Sequence, residues 1–135
     1  MGFDNVLTSL GINGMKVFIR LNQREYDLSD TISGCVHLKA GQSDQKVTHI
    51  VLTMIEKYPN DDETSDFSYL THELDRFVID EAFTIDVGED KKIDFSFKPE
   101  SFTFKSLKSH IYLHTHVYIE YGLDEEMEAV IPYRR

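Results

Sequence analysis

The stretch that decides the fold is MKVFIRLNQREYDLSDTISGCVHLKAG, residues 15–41. In its first part Val17, Ile19 and Leu21 alternate with Phe18, Arg20 and Asn22. In its last part Ile32, Gly34, Val36 and Leu38 share one face, and Thr31, Ser33, Cys35, His37 and Lys39 share the other. A period of two marks a strand with one face on a core. Gly34 falls on the inward face between Ile32 and Val36, where a missing Cβ points to close approach of a neighbour or to a bulge.

Upstream of Met15 the period changes. Phe3, Val6, Leu7 and Leu10 fall at i, i+3, i+4 and i+7, which predicts a short amphipathic helix stopped by Gly11 and Asn13-Gly14. Its polar side, Asp4, Asn5, Thr8 and Ser9, carries no cation. The stripe therefore reads as packing against the domain and not as a membrane-surface anchor. Residues 1–14 are assigned to this helix and turn, and 15–135 to one domain.

Downstream, strands are predicted at 46–58, 67–78, 83–85, 91–97, 109–121 and 126–133, for about eight in total. Turn-forming clusters separate them, among them Ala40-Gly41-Gln42-Ser43-Asp44, Pro59-Asn60-Asp61-Asp62 and Gly122-Leu123-Asp124-Glu125. No helical segment falls between strands. The predicted fold is all-β, an immunoglobulin-like antiparallel β-sandwich with a short N-terminal helix. Residues 46–58 pose one difficulty. Ile50, Leu52 and Met54 line one face, yet the other mixes Val47, Val51 and Ile55 with His49 and Thr53. Such a face is expected to be covered, either by the other sheet through a bulge near Thr48 or by a second copy of the chain in a homodimer.

Composition agrees. Val, Ile, Thr, Phe and Tyr number 9, 11, 9, 9 and 7 among 135 residues, against 3 Ala, which suits strands and not a helical bundle. The net charge of −10 argues against nucleic acid and against an anionic membrane surface as partners. The one cysteine, Cys35, excludes an internal disulfide and a multi-cysteine zinc site. No apolar run approaches the roughly 20 residues that span a bilayer. The first ten residues carry no Lys or Arg and do not read as a secretory signal. A reduced, soluble, cytoplasmic protein is expected.

The spacing most suggestive of chemistry lies in SHIYLHTHVYIEYG, residues 109–122. His114, His116 and Glu120 give H-x-H-x-x-x-E, and residues i and i+2 of a strand stand about 7 Å apart on one face, near enough to share a metal. This matches part of the first motif of the cupins, small metal-binding barrels. The cupin glycine would fall at Lys108, however, and only 15 residues follow Glu120 to hold the second motif. Parity also opposes it. Ile111, Leu113, Val117, Ile119 and Tyr121 claim the core, which turns His110, Tyr112, His114, His116, Tyr118 and Glu120 outward. No metal site is therefore predicted, and a cupin-like metal-dependent enzyme using His114, His116 and Glu120 stays the alternative.

Cys35 and His37 share a strand face, too far apart for an automatic thiol–imidazole hydrogen bond. No nucleophile elbow, phosphate loop or H-E-x-x-H occurs. The acidic runs Asp61-Asp62-Glu63 with Asp66, and Asp124-Glu125-Glu126 with Glu128, read as solvated turns; Ca²⁺ chelation is the alternative, with a weak signal because the loop lacks the alternating Asp/Asn spacing and the glycine of an EF-hand. No catalytic, cofactor-binding or metal-binding residue is expected, and the chain does not read as an enzyme.

Residues 15–41 also resemble the opening of arrestin-like domains, in which a first strand is followed by a Tyr, a Pro-Gly turn and a strand of the form V-x-G-x-V-x-L. Tyr26 and Ile32-Ser33-Gly34-Cys35-Val36-His37-Leu38 fit, and Leu28-Ser29 stands where Pro-Gly is usual. QKVTHIVLTMIEKY (45–58) is similar to the family's long third strand, and RFVIDEAFTIDVGEDKKIDFSFKPE (76–100) to the passage after it. Gly11-Ile12-Asn13-Gly14 and HTHVYIEYGLD (114–124) most resemble the bacterial sporulation-control protein M family. That resemblance implies an arrestin-like sandwich and a regulator or scaffold working through protein–protein contacts, with a role in sporulation or a related stress response. It implies no catalysis and no cofactor. Family members usually carry two sandwiches in tandem, and one is expected here, with the surface for the second left open.

Overall fold

The computed structural model describes residues 9, 10 and 14–135. Among the described residues there are nine strands: β1 (Ser9–Leu10), β2 (Lys16–Leu21), β3 (Ile32–Lys39), β4 (Gln45–Pro59), β5 (Tyr69–Ile79), β6 (Phe83–Ile85), β7 (Asp90–Phe97), β8 (His110–Glu120) and β9 (Glu125–Ile131). One sheet has the order β1-β2-β3-β7. The other has the order β5-β4-β8-β9, with β6 also paired to β4. All these strand pairs are antiparallel. The inward residues of both sheets form one core, with Val17, Ile19, Val36 and Leu38 from the first and Ile50, Leu52, Leu113 and Val117 from the second all fully buried.

The N-terminal helix falls mostly outside the described residues. Where it was expected to end, Ser9 and Leu10 are instead a strand paired with Val17 and Lys16. The free backbone edge of β2 captures this segment, and ladder hydrogen bonds outweigh a short stretch of helical periodicity.

Strand β4 resolves its own difficulty in part. Its pairing with β8 shifts register between Val47 and His49. The extra residue, Thr48, is a bulge that lets Val47 and Ile50 both point into the core, where each is fully buried. Val51 and Ile55 remain on the outer face, half-buried.

Gly34 is a close approach. A Cβ there would stand 2.2 Å from the Arg20 carbonyl oxygen and 3.1 Å from Phe95 Cζ, so only glycine lets β2 and β7 flank β3 at this point. Tyr121 departs from expectation. The alternation that places it inward stops at Glu120, and Tyr121 turns out fully exposed at φ +57°. The Asp124 carboxylate accepts the Ile119 N–H at 2.8 Å and holds the chain in the turn that starts there. At the far end, Tyr26 N–H donates to Pro132 O at 2.8 Å, and Arg134 N–H to Tyr26 O at 2.7 Å. The segment after β9 thereby joins the loop after β2 and ties the two sheets together.

Candidate functional site

On the outer face of the second sheet, β8 presents His114, His116 and Tyr118, as its parity requires. The register of the β8–β9 hairpin sets Glu128 opposite His114 and Glu126 opposite His116. Each imidazole consequently meets two carboxylates. His114 Nε2 lies 2.8 Å from Glu126 Oε1 and its Nδ1 3.2 Å from Glu128 Oε2. His116 Nε2 lies 2.9 Å from Asp124 Oδ2 and its Nδ1 3.4 Å from Glu126 Oε1. Glu126 Oε1 thus sits between the two rings. Tyr118 stacks on His116 at 4.0 Å, and His49 of β4 stacks on Tyr118 at 4.3 Å. The column fixes the plane of His116. Burial pushes the Asp124 carboxyl up, but the contact with His116 and the Ile119 N–H outweigh it and hold it below the ordinary aspartate value.

Glu120 is not part of this group; it pairs with Lys46 at 3.4 Å. The structure keeps two of the three H-x-H-x-x-x-E residues together and replaces the third. Among the described residues, His114, His116 and Glu126 are the group of three ligand-type side chains able to close on one ion, their ligand atoms all within 4.8 Å of one another. The sequence reading took the run from Asp124 to Glu128 as a solvated turn. The missed signal was parity across the hairpin, which puts Glu126 and Glu128 on the histidine side.

The other sequence candidates separate. Cys35 and His37 lie on the outer face of the first sheet, beside Phe18, Arg20, Lys39 and Lys92. Burial, with the Asp94 charge, pushes the Cys35 thiol up, so it is no ready nucleophile. His37 Nε2 stands 3.4 Å from Asp90 but makes no hydrogen bond. In the long loop Asp62 accepts the Thr64 N–H and hydroxyl at 2.9 and 2.7 Å, which is turn chemistry.

A model of the Spo0M (SpoOM protein) family matches residues 3–130. The chain belongs to the Spo0M family. The crystal structure of Spo0M, a sporulation control protein from Bacillus subtilis, superposes with a TM-score of 0.76 at 25% identity, over 90% of this chain and 49% of that one. This Spo0M-family chain therefore spans about half the length of the solved relative. No curated protein sequence matches it. The match agrees with the all-β, antiparallel architecture, and neither it nor the outward-facing histidines support the cupin reading. No helix among the described residues is long and apolar enough to cross a membrane.

Proposed function

We propose that the chain is a non-catalytic regulator or scaffold of the cytoplasm, acting through protein–protein contacts in the control of sporulation or a related stress response. The family match over residues 3–130 carries this reading. The arrestin-like resemblance supports it, since such sandwiches work by presenting surfaces. So does the outer face of β4, where Val51 and Ile55 stay half-buried beyond the bulge and offer an apolar strip to a protein partner or to a second copy of the chain.

The test is complementation. In Bacillus subtilis lacking its own Spo0M, the expressed chain should change the yield of heat-resistant spores, and Val51→Lys should abolish that change while the purified variant stays folded. An unchanged yield from well-expressed wild-type chain overturns the reading. Sedimentation equilibrium addresses the homodimer. Association should strengthen with salt, because two bodies of −10 each repel less when screened.

A further inference from the structure

We infer that His114, His116 and Glu126 form a binding site for a divalent late transition-metal ion of the Zn²⁺ type, on the outer face of the β8–β9 hairpin. The inference is independent of the regulatory reading.

The first argument is hydrogen-bond bookkeeping. A neutral imidazole has one N–H and one lone pair. Each ring here has carboxylate oxygens at both nitrogens: Glu126 and Glu128 for His114, Asp124 and Glu126 for His116. One N–H can serve only one of the two. The other nitrogen then turns its lone pair toward an anionic oxygen, which repels it. A cation between the nitrogens and Glu126 Oε1 takes up both lone pairs and removes the clash; a second proton on each ring is the other way to satisfy the same oxygens.

The second argument is geometry. Ligand atoms held 2.0–2.1 Å from a tetrahedral ion stand about 3.3 Å from one another. The distances from Glu126 Oε1 to His114 Nε2 and His116 Nδ1 are 2.8 and 3.4 Å. The ligand atoms of all three side chains lie within 4.8 Å of one another, so the two rings and the half-exposed glutamate close on the ion by side-chain movement.

The third argument is the outer layer. Metal-bound histidines usually pass their other ring N–H to a carboxylate, which fixes the tautomer and raises ligand basicity. Glu128 faces Nδ1 of His114 and Asp124 faces Nε2 of His116, in each case the nitrogen that the ion would not use. Asp124 is itself fixed by the Ile119 N–H. Two imidazoles and one carboxylate favour Zn²⁺ and its neighbours over Mg²⁺ or Ca²⁺, which prefer all-oxygen sites. Three protein ligands leave a fourth position to water.

Zinc chloride titrated calorimetrically into the chelator-treated chain is the test. One equivalent should bind in the micromolar range or tighter, and magnesium chloride should give no heat. His116→Ala and Glu126→Gln should each weaken binding by about 100-fold or more, and Asp124→Asn and Glu128→Gln by about 10-fold. His110→Ala, on the same face outside the cluster, should change nothing. Circular dichroism without metal checks each fold; Glu126→Gln, nearly isosteric, carries the test should His116→Ala unfold. No zinc binding in the micromolar range, or stoichiometric binding that survives Glu126→Gln, overturns the inference.

Discussion

The outer faces of the two sheets carry the same local pattern with opposite surroundings. Cys35 and His37 on β3, and His114 and His116 on β8, are pairs of metal-ligating residue types at i and i+2. Across from His116 the register places Glu126; across from His37 it places Lys92 on one side and Phe18 on the other. One pair is ringed by carboxylates. The other has Asp94 across from Cys35 and a loose Asp90 beside His37, but the cations Arg20 and Lys92 also stand across from the pair, and Phe18 lies obliquely on His37 at 5.6 Å. The difference teaches that a strand spacing supplies half a site, and that the partner strand, chosen by register, supplies or withholds the rest.

Register is therefore the first thing to break. Gly34 holds β3 against β2, and any Cβ there collides with backbone at the Arg20 carbonyl. Gly34→Val should cost about 3 kcal/mol or more, beyond ordinary overpacking, because backbone cannot swing aside as a side chain can. The urea midpoint reads this. An unchanged midpoint would mean that β3 is not seated as described, and the contrast between its outer face and that of β8 would lose its basis.

The second sheet has its own anchor. Glu56, at the inner face of β4, is fully buried and accepts the Lys105 N–H at 2.7 Å. His72 Nε2 lies 2.8 Å away. These contacts pin the loop that leads into β8. Burial pushes the Glu56 carboxyl up, but hydrogen bonds from Ser109, Lys105 and His72 outweigh it and leave it below the ordinary glutamate value. A carboxyl lowered by folding stabilises the protein above the ordinary carboxylate range, and the contribution fades as pH falls through the folded value. Glu56→Gln should thus cost about 2 kcal/mol near neutral pH, and the gap from wild type should close on acidification. Urea midpoints across that range measure it; a gap constant with pH would show that the charge is not what matters.

How much of this could be read beforehand follows from where periodicity is local. On β2, β3 and β8 the alternation runs unbroken, so their inner and outer faces were legible. On β4 the alternation breaks at Thr48, and Val47, out of step with Ile50, was the visible trace of the bulge; Val51 and Ile55 stay on the outer face. Tyr121 was misplaced because parity says nothing of where a strand stops; an aspartate three residues on decides that. Ser9 and Leu10 follow a helical stripe yet join an edge, a choice made by β2 and not by their own sequence. In the candidate site, the outward histidines were legible and their carboxylates were not, because Glu126 meets His116 only through the hairpin register.

A smaller perturbation tests the join between the sheets whose faces differ. The buried Tyr26 hydroxyl donates to Ser33 O at 3.1 Å and accepts the Gln23 N–H at 3.3 Å, while its ring packs 6.3 Å from that of Tyr133. Tyr26→Phe keeps the ring packing and removes both hydrogen bonds. Ser33 O retains the Asn22 N–H at 3.0 Å, so the loss should be only about 1 kcal/mol. A loss several times larger in the thermal or urea midpoint would show that the hydroxyl, and not the ring, holds this corner.

The smallest expected effect sharpens the comparison most. Lys92→Glu places a carboxylate across from His37, where Glu126 stands to His116. Lys92 is exposed on an outer face, so stability should change by no more than about 0.5 kcal/mol. Zinc stoichiometry is the informative readout. If the cross-strand carboxylate is what completes a site, the variant should gain a second equivalent through Cys35, His37 and the new glutamate. That site should bind at least ten times more weakly than the one on β8. Arg20 stands opposite Cys35 and repels a cation, and a thiol held high by burial and by Asp94 gives up its proton to the metal at a cost. A variant with a single equivalent would show that the histidine pair matters more than the register. A second site as tight as the first would show that the surrounding charge matters less than the three ligands themselves.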